Sequence, residues 1–239
     1  ARDISQPLVP QGGAIIEVNA GPSLPTHLRN PGDAANEAGA AIVRHLFPEG
    51  ETGRIPIVGI TGCSDTTSVA GMLGFMLHLH GQSVGVACGS GTYLGQRCSR
   101  RGDGANWTAG QRVLINRTVN AAVLETAPGS LLREGLPYDR CQVGVVTAVN
   151  VPAALNRHGI EEPAQMAHVL RTQVDVVLGD GVAVLNADDP LVLAMAEYAD
   201  GEVMLYAREG SNPAVQAHLA EGGRAVYLDG GIAALARVE

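Results

Sequence analysis

Ile57-Val-Gly-Ile-Thr-Gly-Cys-Ser-Asp-Thr-Thr-Ser68 decides how this chain is read. The apolar run Ile55–Thr61 ends at Gly62 and predicts a buried strand, and Thr67–His80 reads as a helix stopped by Gly81. Strand, glycine-containing turn and helix together make the layout of a phosphate-binding loop. In such a loop backbone N–H groups and the helix N-terminus point at an anion. It also ends in Gly-Lys-Ser/Thr: the lysine neutralises phosphate charge and the hydroxyl holds Mg²⁺. Here Asp65 and Thr66 stand where Gly-Lys is expected, followed by Thr67. One change removes a cation, and the other adds an anion together with a Cβ where the backbone should curl. At ~4 Å and an effective dielectric near 20, each unit charge is worth about 4 kcal/mol. The swap therefore works against a triphosphate by several kcal/mol, and the loop reads as one that kept its shape and lost its chemistry.

The same alternation continues outward from this loop. Ser83–Cys88, Ala121–Glu125, Gly144–Thr147, Ala183–Asn186, Val203–Tyr206 and Ala225–Leu228 are short, nearly continuous apolar runs. Helical stretches lie between them at Ala109–Leu114, Pro163–Asp175, Pro190–Tyr198 and Pro213–Glu221. Gly89–Gly104 is polar and glycine-rich and reads as a long loop carrying Arg97, Arg100, Arg101 and Asp103. Such strands predict an α/β fold with a mostly parallel sheet covered on both faces. Right-handed crossovers then gather the strands' carboxyl ends along one edge, where ligands bind in such sheets. Before Ile55 the chain differs. Residues 1–50 hold six prolines and one strand-like run, Ala14–Val18, then an Ala-rich helical stretch from Asp33 to Leu46 and a Gly/Pro-punctuated linker to Arg54.

Composition sets limits. With 239 residues the chain is long enough for a real core. At 3% aromatic that core must be built from Ala, Val, Leu and Ile. The net charge of −8, with no Arg block, argues against nucleic acid or an anionic membrane as the main partner. No apolar run is long enough for a membrane span, and the N-terminus lacks the apolar stretch of a secretion signal. Cys63, Cys88, Cys98 and Cys141 form no Cys-x-x-Cys pair, so zinc is poorly supported, and reduced thiols in a cytoplasmic protein are expected. His78 and His80 are two apart on a helix and share no face. Asp188-Asp189 either form an acid/base pair or start the helix at Pro190, whose dipole favours carboxylates there.

Nearly the whole chain resembles the cyanophycin synthetases, bacterial ligases that fuse an ATP-grasp domain to a Mur-ligase-like domain. The residues that carry the resemblance are Gly12-Gly-Ala-Ile-Ile-Glu-Val-Asn-Ala20 with Pro22, the connector Leu46–Pro56, and Thr61–Thr67 against the family's Thr-Gly-Thr-Asn-Gly-Lys-Thr. Val123–Ala127, Leu132–Leu136, Asp139-Arg-Cys141 and Leu185–Pro190 add to it. The resemblance implies that residues 1–32 are the C-terminal remnant of an ATP-grasp domain ending in a strand. It implies that 33–54 are helix and linker, and that 55–239 are a Mur-ligase-like domain of P-loop-like topology without its C-terminal lobe. Glu17 and Asn19 match the Mg²⁺ ligands of the ATP-grasp motif. Gly62, Thr67, Asn186 and Asp189 match the nucleotide site of the Mur-like part, and Glu125 its Mg²⁺ carboxylate. Other positions depart from the pattern. Thr147-Ala-Val-Asn150 lacks the Thr-Asn, the Asp-His pair expected around Pro152–Ala154 is missing, and Ala127-Pro-Gly-Ser130 loses a cation. Leu170 falls where a carbamylated lysine would bind Mg²⁺. These losses fit the shorter, dipeptide-polymerising type of the family. Mg²⁺ and ATP would then bind only in the parent's ATP-grasp domain, and the Mur-like module would be silent and catalyse nothing. Partners implied are the rest of the ligase chain, further copies in a homo-oligomer, and cyanophycin or β-Asp-Arg dipeptide. Two other readings stay open: a live arginine-adding ligase domain, or a module that binds polymer or dipeptide without nucleotide.

Overall fold

The computed structural model describes residue 3, residues 5–18, residue 21 and residues 34–237. The chain divides into two units, 1–54 and 55–239. In the first, a 3-10 turn (Val9–Gln11) is tied by the Gln11 side chain, whose Nε2 donates to the Asp3, Gln6 and Pro7 carbonyls. Helix α1 (Ala34–Leu46) forms where alanines give high helix propensity. The expected strand Ala14–Val18 is not one: these residues carry no strand pairing, and Ile15, Ile16 and Val18 are exposed. A β-prone run becomes a strand only when a neighbour accepts its hydrogen bonds.

Among the described residues, the second unit is built on ten strands. They are β1 (Ile57–Thr61), β2 (Val84–Cys88), β3 (Gly91–Leu94), β4 (Arg97–Arg101) and β5 (Ala121–Glu125). Then come β6 (Cys141–Val146), β7 (Val177–Asn186), β8 (Glu202–Glu209), β9 (Arg224–Asp229) and β10 (Ile232–Arg237). Their order across the sheet is 10-9-8-7-6-1-5-2-3-4. From β9 to β2 every neighbouring pair is parallel, and an antiparallel strand or hairpin closes each side. Helices α2 (Thr66–Leu79), α3 (Trp107–Leu114), α4 (Pro128–Glu134), α5 (Pro163–Asp175), α6 (Pro190–Leu193) and α7 (Pro213–Ala220) make the crossovers. Helix α2 alone packs on one face, with Ala70, Leu73 and Leu77 over Ile60, Val86 and Val123. The other helices bury the opposite face around Leu124, Met166, Leu170, Leu185 and Leu205.

The helix Pro128–Glu134 and the start of β7 at Val177 add to the reading of the sequence, Pro190–Tyr198 divides into a short α-helix and a 3-10 helix, and two further stretches change character. Gly89–Gly104 is not a loop throughout: Leu94 pairs with Arg97 across the two-residue turn Gly95-Gln96, with Gly95 at φ +56°, and a hairpin results. Every residue of β4 is exposed, so no apolar alternation marked it as a strand. The tail after Asp229 is also a strand, β10, paired antiparallel to β9 across Gly230-Gly231, both at positive φ as a type I′ turn demands.

Candidate functional site

The strand order turns at β1. Its successor β2 lies two places away on one side, β5 fills the gap, and the chain then crosses to β6 on the other side. Because β5, β1, β6, β7 and β8 run parallel, their carboxyl ends share one edge. That is the crevice where open α/β sheets bind ligands. It collects Gly62–Thr67 after β1, Glu125 at the end of β5, Thr147 after β6, Asn186 ending β7, and Tyr206 on β8.

The turn after β1 is rigid. Gly62 sits at φ +144°, and a Cβ there would overlap the Thr147 hydroxyl. The Cys63 amide donates to the Ala148 carbonyl (3.0 Å), and the Thr147 hydroxyl to the Ser64 carbonyl (2.7 Å). Asp65 caps α2 in an unusual way. An N-cap residue is normally extended, which lets its side chain reach the first helical amides. Asp65 instead lies at φ +64°, ψ −2°, and its carboxylate makes no cap bond. Among the described residues it is the one non-glycine at positive φ. A glycine in the motif would hold this conformation without strain.

Glu125 is buried, at 5% exposure. Its Oε1 accepts from the Thr66 hydroxyl at 2.7 Å, and its Oε2 from the Gly89 amide at 2.7 Å. The Thr67 hydroxyl reaches both oxygens, at 3.0 and 2.9 Å. The position where a lysine would present its ammonium thus presents a hydroxyl turned inward onto a carboxylate.

The remaining residues are also committed within the protein. The Asn186 amide donates to the Thr147 carbonyl (2.9 Å), and its oxygen accepts from the Asp188 amide (3.0 Å). Asp189 is the N-cap of α6, accepting from Leu191 (3.0 Å) and Val192 (3.3 Å), and its other oxygen takes the Val149 amide (2.7 Å). Asp188 accepts from the Arg208 amide (2.8 Å) and from Asn212 (2.9 Å). Of the two readings of this acidic pair, the helix-start reading describes Asp189, and Asp188 pins β8 and the loop before α7. Around them the field is negative. The Tyr206 hydroxyl, which donates to the Thr147 carbonyl (3.2 Å), is pushed up to about 12 by burial and then by Asp65, Asp188 and Asp189.

The structure therefore brings Gly62, Thr67, Glu125, Asn186 and Asp189 to one edge of the sheet. Glu17 lies in the exposed extended stretch of the first unit, and Asn19 falls outside the described residues. Leu170 is a fully buried core residue of α5. Reading the sequence missed Thr66 as a donor, Gly89 as a second one, and Tyr206 as a reporter of the field. Only the adjacency of β2, β5 and β1 in space puts these groups together, although Gly89 directly after an apolar strand was a legible turn signal.

No family model matches the chain. Over 230 residues it is 37% identical to the cyanophycin synthetases of Synechocystis sp. and Crocosphaera subtropica. Over 229 residues it is 35% identical to that of Geminocystis herdmanii. Each match covers 96% of this chain and 26% of the relative, so the chain spans about a quarter of the length of these curated relatives. Among solved structures, a UDP-N-acetylmuramoyl-L-alanyl-D-glutamate–2,6-diaminopimelate ligase superposes with a TM-score of 0.57 at 13% identity, covering 78% of this chain and 36% of that one. At that identity the likeness concerns the fold alone. Over nearly its whole length the chain is similar to a segment of the cyanophycin synthetases, and it carries a Mur-ligase-like α/β fold.

Proposed function

We propose that residues 55–239 are a catalytically silent Mur-like module. In this reading it serves as a structural part of a longer ATP-dependent ligase that makes the β-aspartyl-arginine polymer. The observation that carries the reading is the loop after β1. Asp65 occupies a left-handed N-cap position where a glycine would sit, and the Thr66 hydroxyl is spent on Glu125 where an ammonium would meet phosphate. A triphosphate entering there meets no cation from the loop, and the carboxylates of Asp65, Asp188 and Asp189 stand close enough to add to the rise that burial gives the Tyr206 hydroxyl. These residues do not fit a nucleotide triphosphate, and no step of a reaction is assigned to them. In the same reading the parent uses ATP and Mg²⁺ in an ATP-grasp domain to which Glu17 and Asn19 belong, 33–54 is the connector, and copies assemble as a homo-oligomer.

Calorimetric titration of the full chain with ATP·Mg²⁺ and, separately, with β-Asp-Arg dipeptide tests this. Silence predicts no heat of ATP binding at micromolar to millimolar concentrations and no phosphate release. ATP-dependent phosphate release that Glu125→Ala abolishes would refute it and favour a live ligase. A second reading has its own support. A cleft of about 640 Å³ beside Asn186 is lined by Asp188, Arg208, Glu209, Ser211 and Asn212. Charges of both signs with amide and hydroxyl groups suit a zwitterionic dipeptide or the polymer. Saturable dipeptide binding lost in Arg208→Ala would establish it.

A further inference from the structure

Glu125 is held by donors from two separate parts of the fold. It ends β5, the neighbour of both β1 and β2. Its two oxygens take hydrogen bonds from the first turn of α2, through Thr66 and Thr67, and from the Gly89 amide in the turn between β2 and β3. Those three donors come from two elements with no covalent connection near Glu125: Thr66 lies 59 residues away and Gly89 lies 36. The packing is close. A Cβ on Gly89 would lie 2.5 Å from the Thr67 hydroxyl and 3.7 Å from a Glu125 oxygen, so only glycine lets the turn's amide approach. A carboxylate at 5% exposure is costly to bury unless its charge is met by donors or a cation. Here two hydroxyls and one amide supply what a cation would otherwise supply.

We infer that Glu125 is a cation-independent latch that fastens the N-terminus of α2 and the β2–β3 turn to the end of β5. This rests in part on the reading of the module as silent, because a working site would need Thr67 and Glu125 free to exchange this bond for a metal. The latch also gives Thr66 a role: it is the donor that meets the Glu125 oxygen opposite the Gly89 amide, so its hydroxyl works structurally where a lysine would work on phosphate.

The test is a thermal double-mutant cycle on the full chain with Thr66→Val, Glu125→Gln and the pair, each melted with and without millimolar MgCl₂. Loss of a buried hydrogen bond to a charged group predicts that Thr66→Val lowers Tm by about 4–8 °C. Glu125→Gln should lower it at least as much, since it also loosens the Thr67 and Gly89 bonds, and the pair should fall no further than Glu125→Gln alone, because the Thr66 bond is already lost there. MgCl₂ should shift none of the melts. Hydrogen exchange at the Gly89 amide should speed up in Glu125→Gln. If that variant does not fold, Thr66→Val and the native Gly89 protection decide the matter alone. Additive losses, a Thr66→Val melt within 1 °C of the parent, or an unprotected Gly89 amide would overturn the latch. So would a rise in wild-type Tm with MgCl₂ alone that Glu125→Gln abolishes. Stabilisation by ATP·Mg²⁺ without any response to MgCl₂ would instead sink the silent reading and leave the latch standing.

Discussion

Asp65 concentrates the chemical argument in a single residue. An L-amino acid in the left-handed region costs roughly 1–2 kcal/mol, somewhat less for Asp. Asp65 recovers none of this through capping, since its carboxylate bonds to no helix amide. Asp65→Gly should therefore raise stability by about 0.5–1 kcal/mol, after the greater unfolded-chain entropy of glycine is subtracted. For a domain of this size that is a gain of about 1–4 °C in Tm, readable by circular dichroism. The same substitution removes an anion from the mouth of the site. If Asp65 is the main barrier to phosphate, the variant should acquire weak ATP binding, whereas with Thr66 still in place of a lysine we expect none. A neutral or lower Tm would show that Asp65 makes a favourable contact the backbone geometry does not reveal.

At the scale of elements, α2 sets two identical substitutions against each other. Both Gly71 and Gly74 lie inside the helix, where Gly costs about 1 kcal/mol relative to Ala. A Cβ at Gly71 meets nothing within 4 Å. A Cβ at Gly74 would overlap a Val86 methyl on β2, because the helix lies directly on that strand there. Gly71→Ala should therefore stabilise by about 0.5–1 kcal/mol. Gly74→Ala should destabilise by about 1–2 kcal/mol, as overpacking of 1–3 kcal/mol outweighs the propensity gain. Paired denaturant titrations of the two variants check both signs at once. The helix itself was legible in the sequence because a strand, a glycine turn and an apolar stretch ending at Gly81 are local signals. Pro163–Asp175 was legible for the same reason, with a proline at its first turn. The hairpin β3–β4 was not, since hydrophobic period records burial and β4 has none. Strand β10 is Ile-Ala-Ala-Leu-Ala-Arg, half alanine, which strands disfavour, so its one local signal is the turn pair Gly230-Gly231 before it. The site divides the same way. Thr67 and Glu125 could be placed from the sequence by motif spacing and resemblance, but that Thr66 and Gly89 also close on Glu125 depends on residues 59 and 36 positions away from it becoming its neighbours.

Taken whole, the second unit is a parallel sheet whose outer strands are finished by antiparallel pairing rather than by further crossovers. At the β10 side, charged side chains add to the backbone ladder that joins β8 and β9. Glu202 on β8 and Arg224 on β9 form a two-pronged ion pair, the Arg224 Nη2 lying 2.6 Å from a Glu202 oxygen and its Nε donating to the other. Arg237 pairs in register with Arg224 on the next strand. The hydrogen bond from Arg224 holds the Glu202 carboxyl below its ordinary value of 4.5, with smaller help from the charges of Arg224, Arg237 and His218. A carboxyl depressed in the folded state binds fewer protons than in the unfolded chain. Its stabilisation is therefore complete above about pH 4.5 and is lost as pH falls through the lower folded value. The Glu202 side chain is 45% exposed, so solvent limits the contribution to under about 1 kcal/mol. Glu202→Gln should lower Tm by at most about 4 °C at neutral pH and low salt. The gap should narrow in high salt, because exposed charges are screened. It should close once the pH is well below 4.5, where wild-type Glu202 is itself protonated. Melting curves of both proteins from neutral to acid pH give the comparison. A gap of constant size across that range would mean that Glu202 holds β8 to β9 through its shape and hydrogen bonds, with its charge contributing nothing.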